Sequence, residues 1–520
     1  MTRPGNHHLP SHAAPTRAVP PRAVPSGTVA SDADLVGSTA RQSADGSVRG
    51  AGALRRLAAG CGASALAAVL ALGAAAPVHA APAPHASMPT MAHAALPVST
   101  PATPAAAAST AAEDAAEDAV TDAGAATDAD LQREEALGEL AESVDAHFYL
   151  PPSTLPAQNG AVIRSEPAQF YLDPVKLIKP KASATRIMYS STDAHGGRMA
   201  VTGTVLVPTK AWTGKGQRPL IGYAVGTQGA ADRCAPSRQM AIGQEYEGPM
   251  VAALLEAGYA LALTDYQGLG TPGAHSYMVR AAQGHAVLDS VRAAQRLGLA
   301  GVGAANPVGL VGYSQGGGAS AAAAELAPSY APELDLKGAF AGAVPGDLQQ
   351  VAAKIDSTLY TGFLLFAMNA LDSQYPVDLD AALNAKGRER VAEAAENCVV
   401  DGLLQHGFVK TSTLTADGST FTQLANREPY ASVLREQRIG DGRAPRVPVM
   451  LSHSLLDDVI PYQAGRGVAE RWCAQDSNVS WITNAAPTHL GGYVAAVPSA
   501  IAFLKARFNG NTQLSSCWRL

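Results

Sequence analysis

Residues 307–326 read PVGLVGYSQGGGASAAAAEL, and the organisation of the whole chain follows from them. The run 308–311 is short, apolar and partly β-branched, the pattern of a buried strand, and 316–326 is an Ala-rich helix former. Between them lies Gly312-Tyr313-Ser314-Gln315-Gly316, a G-x-S-x-G pentapeptide at a strand-to-helix junction. A Ser on so sharp a turn holds its hydroxyl out, and side chains at either flank would crowd the turn, so both flanks want Gly. The helix behind it aims free N–H groups and the positive end of its dipole at the place where an oxyanion would form. A bare G-x-S-x-G arises by chance in roughly one chain of this length in two or three. Its placement between a strand and a small-residue helix is what makes Ser314 a candidate nucleophile and the turn a nucleophile elbow.

Outward from that turn, strand and helix patterns alternate. Strands are expected at 184–191 and 199–208, joined as a hairpin by Gly196-Gly197, and again at 218–225 and 259–265. Helices are expected at 247–258 and 279–297. Beyond the elbow come strands at 336–344, 446–452 and 479–483, with helices at 462–474 and 498–508. Such alternation gives a mostly parallel central sheet covered by helices, and with the elbow it gives an α/β-hydrolase fold. Residues 347–440 interrupt the alternation and are helical in pattern, too long a stretch for a plain loop, so they read as an inserted helical cap. The catalytic domain is accordingly 131–346 and 441–520, the first part opening with a helix-like segment at 131–148.

The 520 residues begin differently. Residues 1–53 are rich in Pro, Ala, Ser and His, and 81–130 are rich in Ala, Pro and Thr and then acidic; neither stretch buries enough apolar surface to fold, so both read as disordered. Between them, residues 54–80 carry Arg55 and Arg56, an apolar run and a small-x-small exit at Val78-His79-Ala80, which reads as a secretory signal peptide cleaved after Ala80. A translation start assigned upstream of about Val48 would account for a signal that begins so late. The protein is therefore expected to be secreted, with no transmembrane segment in the mature chain. Cys234, Cys398, Cys473 and Cys517 remain after cleavage, an even set with three possible pairings. A net charge of −6 offers no basic surface for nucleic acid.

In α/β-hydrolases the acid and the base follow the nucleophile along the chain. Three histidines follow Ser314: His406 lies in the cap, His453 precedes any acid at a late strand end, and His489 alone follows one. The acid belongs beyond the strand in VPVMLSHSLLDDVIP, where Asp457 is preferred and Asp458 is expected to be a solvated loop carboxylate. His489 would take the proton from Ser314, and Asp457 would fix the imidazole tautomer and stabilise the imidazolium. The oxyanion hole needs the Gln315 backbone N–H and a second from the loop Gly226-Thr227-Gln228-Gly229, for which the Gln228 N–H is chosen. Gly268 to Gly273 matches G-x-G-x-x-G, but Pro272 and the lack of a following helix argue against a dinucleotide site. No H-E-x-x-H or C-x-x-C spacing appears, so a catalytic metal is not expected.

Taken together, FYLPP and VIRSEP within 148–167, GTQGAADRCAPS at 226–237, DYQGLGTPG at 265–273, AVLDSVRAAQ at 286–295, GYSQGG and the Asp457 and His489 loops resemble the secretory lipase family, the yeast lipase A type of α/β-hydrolase. The resemblance covers roughly 145–510. It implies a serine esterase or lipase without cofactor, acting on acyl esters through an acyl-serine intermediate, with a helical cap. It also implies one disulfide from the oxyanion loop to the cap, Cys234 to Cys398, leaving Cys473 with Cys517. The yeast members carry an acidic residue in the oxyanion loop where this chain has Thr227-Gln228-Gly229. A short-chain esterase, a peptidase on the same fold and a non-catalytic binding protein remain the alternatives, since a triad does not distinguish ester from amide. The cap run TGFLLFAM, Thr361 to Met368, is too short to span a bilayer and too apolar for a solvated helix. It is expected either to pack within the cap or to line an acyl site, Phe366 included, that favours medium or long chains at a lipid–water interface.

Overall fold

The computed structural model describes residues 146–520. The expectations for 1–53, 54–80 and 81–130, and for most of the helix-like segment from 131, lie outside the described residues; of that segment, Ala146–Tyr149 is a turn of 3₁₀ helix. A nine-stranded sheet organises the rest, in the order β1-β2-β3-β5-β4-β6-β7-β8-β9. Strands β1 (Val162–Ala168), β2 (Ala182–Thr192) and β3 (Arg198–Pro208) pair antiparallel, and β3 also runs antiparallel to β5 (Ala260–Tyr266). From β5 onward the sheet is parallel through β4 (Leu220–Ala224), β6 (Val308–Tyr313), β7 (Leu336–Gly342), β8 (Val449–Ser454) and β9 (Val479–Asn484).

The centre of the parallel part is β6, the elbow strand. Val308, Leu310 and Val311 are at most 1% exposed, and each fully buried side chain of this size contributes about 1.5–3 kcal/mol. Two glycines of the central strands show what covers each face. A Cβ on Gly222 would meet Val291 of α3 (Arg280–Arg296), whereas one on Gly309 would meet Leu504 and Phe508 of the long C-terminal helix Thr488–Phe508. Because Ile221 pairs with Gly309 and Gly222 with Leu310, and side chains alternate along a strand, these helices cover opposite faces. Two shorter helices precede α3: α1 (Pro236–Ile242) and α2 (Gly248–Glu256). Directly after Ser314, α4 (Gln315–Tyr330) packs on β4, β6 and β7.

Between β7 and β8 lies no strand of the sheet but a run of helices: α5 (Leu348–Ile355), α6 (Thr361–Gln374), α7 (Leu379–Ala382), α8 (Ala385–Ala395), α9 (Val399–His406), α10 (Phe421–Leu424) and α11 (Tyr430–Glu436). They share a second apolar cluster around Leu365, Phe366, Ala370 and Leu414, apart from the sheet core. The chain then returns through β8, α12 (Tyr462–Cys473) and β9 into α13 (Thr488–Phe508). That last helix departs from expectation: it starts at Thr488 and not at Pro498, which lies inside it. Gly491-Gly492 and Pro498 read as loop and helix start in the sequence; in the fold the glycines are helical, and a Cβ on Gly492 would sit 2.5 Å from the Tyr313 hydroxyl. Two disulfides, Cys234–Cys398 and Cys473–Cys517, each span 5.4 Å between Cα atoms, an ordinary separation for a disulfide. Among the described residues no helix is long and apolar enough to cross a membrane.

Candidate active site

Ser314 sits between β6 and α4 with φ 59° and ψ −122°, a conformation a non-Gly residue holds only when its surroundings impose it. They do so by close packing: a Cβ on Gly312 would lie 2.1 Å from the Gly316 carbonyl oxygen, and one on Gly316 would lie 2.0 Å from that of Ala224. The turn is thus closed to side chains at both flanks, and the Ser314 N–H donates to the Gly342 carbonyl at 3.0 Å.

Asp457 and His489 meet, as the sequence suggested. His489 Nδ1 lies 2.7 Å from Asp457 Oδ2, while Asp457 Oδ1 accepts the backbone N–H groups of Val459 (2.9 Å) and Ile460 (2.8 Å). Burial alone raises the Asp457 carboxyl, but the His489 hydrogen bond and charge, with the Ile460 N–H, outweigh it and hold the group below the usual carboxylate range. A buried His453 lies 3.6 Å from the same oxygen, its own pKa lowered by burial. His489 is tied to the elbow through Tyr313, whose hydroxyl donates to the His489 carbonyl at 2.9 Å and whose ring centroid is 5.0 Å from the imidazole. Among the described residues the Ser314 hydroxyl has no hydrogen-bond partner; nucleophile–base contacts of this kind are often long before substrate binds. His406 is remote in role, its Nε2 engaged with Asn397 at 2.9 Å.

Asp458 is not a solvated loop acid. Its Oδ1 accepts the His489 backbone N–H at 2.7 Å, and its Oδ2 accepts the Tyr360 hydroxyl at 2.5 Å.

The loop after β4 runs beside the elbow because β4 and β6 are parallel neighbours. It is held from beneath by Glu245-Tyr246-Glu247, a constellation sequence reasoning missed. Glu247 accepts the Gly226 N–H (3.0 Å), Tyr246 donates to the Thr227 carbonyl (3.1 Å), and Glu245 accepts the Gln228 side-chain amide (3.0 Å). Burial pushes the Glu245 carboxyl up to about 7, and burial with the charge of Glu245 pushes Glu247 well above the usual range. From the other side the Gln228 carbonyl accepts the Val399 N–H at 2.8 Å and Gly229 bridges to Cys398, so the cap grips the same loop. Gln315 is held through its amide by buried His275 at 3.1 Å, a His that burial lowers to about 4 and so keeps neutral.

Ser314 lines an apolar cavity walled by Phe363, Ala367, Met368 and Leu371 of α6, Val351 of α5 and Leu434 of α11. The apolar cap run therefore splits on the helical period, and Phe366 faces the other way, 1% exposed within the cap cluster. The expectation that Phe366 lines the cavity is corrected accordingly. Among the described residues no group of His, Cys, Asp or Glu could hold a metal ion.

Comparison with known proteins agrees with this architecture. The chain is 28% identical to a probable inactive lipase of Mycobacterium tuberculosis, over 70% of this chain and 82% of that protein. It is 27% identical to a secreted triacylglycerol lipase of Malassezia globosa, over 76% and 85%. The solved structure of Candida antarctica lipase A in its closed state superposes with a TM-score of 0.64 at 24% identity, covering 72% of this chain and 89% of that one. The secretory lipase family matches residues 235–516, which hold the elbow, the cap and both late loops, and the chain belongs to that family.

Proposed function

We propose that the protein is an exported serine carboxylic-ester hydrolase that prefers medium or long acyl chains, a lipase in the sense of its Malassezia relative. The observation that carries this reading is the coincidence of a strained, half-buried Ser314, a buried Asp457 hydrogen-bonded to the half-buried His489 and an apolar cavity that begins at that serine. Ser314 Oγ attacks the ester carbonyl carbon while His489 Nε2 takes its proton, and Asp457 holds Nδ1–H and stabilises the imidazolium. The oxyanion faces the backbone N–H groups of Gln315 and Gln228. Collapse expels the alcohol, which receives the proton from His489, and water activated by the same His then releases the acid from the acyl-serine. The acyl chain lies along Phe363, Met368 and Leu371. Each methylene buried there contributes about 0.8 kcal/mol.

Two disulfides support export, since such bonds persist in oxidising compartments. The decisive experiment pairs fluorophosphonate labelling with hydrolysis of p-nitrophenyl esters from acetyl to octanoyl, beside peptide anilides. Labelling at Ser314 and kcat/KM rising with chain length are expected. A peak at acetate would leave a small-ester esterase, anilide cleavage a peptidase, and an unlabelled, inactive protein a non-catalytic binding protein, beside a relative that is itself named a probable inactive lipase.

A further inference from the structure

Asp458 follows the proposed triad acid directly, yet its carboxylate touches neither substrate space nor the imidazole ring. It bridges two elements. Oδ1 accepts the backbone N–H of His489, the second residue of α13, at 2.7 Å, and Oδ2 accepts the hydroxyl of Tyr360 at 2.5 Å. Tyr360 is the N-cap residue of α6, the helix that supplies Phe363, Met368 and Leu371 to the cavity wall. The helix entry on the catalytic side is itself strained: Thr488 has φ 62°, a conformation disfavoured for a β-branched residue and kept only where the surroundings over-determine it. A carboxylate on the first N–H groups of α13 is favoured by charge and by hydrogen bonding. Burial, and then the Asp458 hydrogen bond and charge, raise the Tyr360 hydroxyl, so it stays a donor.

From this bridge we propose that Asp458 is a positioning residue that holds His489 in place from its backbone and, through Tyr360, makes that placement depend on the cap helix that walls the acyl cavity. The proposal rests on the ester-hydrolase reading above. An acyl chain that seats α6 draws on the Tyr360–Asp458 contact, so chain length reaches the base as well as the binding pocket. Interactions of this kind change kcat, whereas uniform binding in the cavity changes KM.

The test uses Tyr360→Phe, Asp458→Ala and Asp458→Asn in the full chain, with kcat and KM measured for acetyl, butyryl and octanoyl esters and fluorophosphonate labelling of the wild type as control. Asp458→Ala is expected to lower kcat on every ester by about tenfold or more with KM little changed, the cost of a loosened catalytic group. Asn keeps an acceptor for the His489 N–H and presents an amide to the Tyr360 oxygen, so Asp458→Asn is expected to recover most of that loss. Tyr360→Phe is expected to lower kcat progressively more from acetyl to octanoyl. Wild-type kcat across the series for Tyr360→Phe and Asp458→Ala, a change confined to KM, or an Asn variant as slow as the Ala variant would each overturn the positioning role while the hydrolase reading stands. Should Asp458→Ala not fold, Tyr360→Phe decides alone. A wild type that neither labels nor hydrolyses any ester overturns both.

Discussion

Ser314, Asp457 and His489 act in the proposed mechanism as one unit, so their removal is not additive. Ser314→Ala or His489→Ala alone is expected to abolish nearly all ester turnover, and Asp457→Asn to cost on the order of 10⁴-fold with the melting curve retained. Near-normal turnover by Asp457→Asn would exclude it as the acid. A second prediction belongs to Glu245, whose carboxyl is pushed by burial up to about 7 while the unfolded group titrates near ~4.3. Between those values the folded state binds more protons than the unfolded one, so its stability falls as pH rises and the penalty is complete above about 7. Glu245→Gln keeps an acceptor for the Gln228 amide and removes that titration; its gain in Tm over wild type is therefore expected to be larger at pH 8 than at pH 5. An equal gain at both would refute the linkage. The elbow at Ser314 and the Asp457–His489 pair were legible because each residue stands beside a strand pattern in the chain order that the proposed mechanism needs. Glu245 and Glu247 were not, since Glu-Tyr-Glu ahead of an apolar helix reads as an exposed helix start; only the fold brings the three side chains under residues 226–228.

Elements were legible where a single period ruled them. Strands β2 to β9 follow their apolar runs within a few residues at each end, and the alternation fixed the parallel sheet. The last helix failed because two glycines and a proline outvote periodicity locally, while the contact that demands Gly492, the approach of the Tyr313 hydroxyl, is tertiary. The apolar cap run failed differently: its composition was informative, but which side of α6 faces the cavity depends on packing against α9, where a Cβ on Gly402 would lie 2.6 Å from the Phe366 ring. The two phenylalanines therefore separate pocket from core. Phe363→Ser is expected to flatten the rise of kcat/KM with acyl length while leaving Tm nearly unchanged. Phe366→Ser leaves a cavity in the cap cluster and is expected to cost about 3–5 kcal/mol. Equal thermal losses in both variants would show that Phe363 belongs to the core.

Across the molecule, the two disulfides bind different things, and this gives a prediction at the largest scale. Cys473–Cys517 joins the end of α12 to a segment whose Ser516 N–H donates to the Val479 carbonyl (2.7 Å) and whose Ser516 hydroxyl accepts the Trp481 N–H (3.0 Å), so it covers the edge strand β9. Cys234–Cys398, with a sequence separation of 164, joins the segment after the loop 226–229 to the start of α9 in the cap. Around it the Ala230 N–H donates to the Asn397 carbonyl (2.9 Å) and the Val399 N–H to the Gln228 carbonyl (2.8 Å). Chain entropy assigns a loop of that length roughly 5 kcal/mol as an upper figure, residual structure in the unfolded chain reducing it. Both Cys→Ser pairs should thus lower Tm, the 234/398 pair more. Their effects on turnover should part company. Without Cys234–Cys398 the segment that follows the 226–229 loop loses its covalent tie to the cap, and if the Gln228 N–H serves the oxyanion as proposed, kcat should fall for acetyl and octanoyl esters alike, because an oxyanion forms whatever the acyl length. Without Cys473–Cys517 the sheet edge loosens far along the chain from the elbow, and kcat measured well below Tm should stay at the wild-type value. Equal kcat in the two double variants at a temperature where both are folded would show that the first disulfide stabilises the fold without organising the loop 226–229.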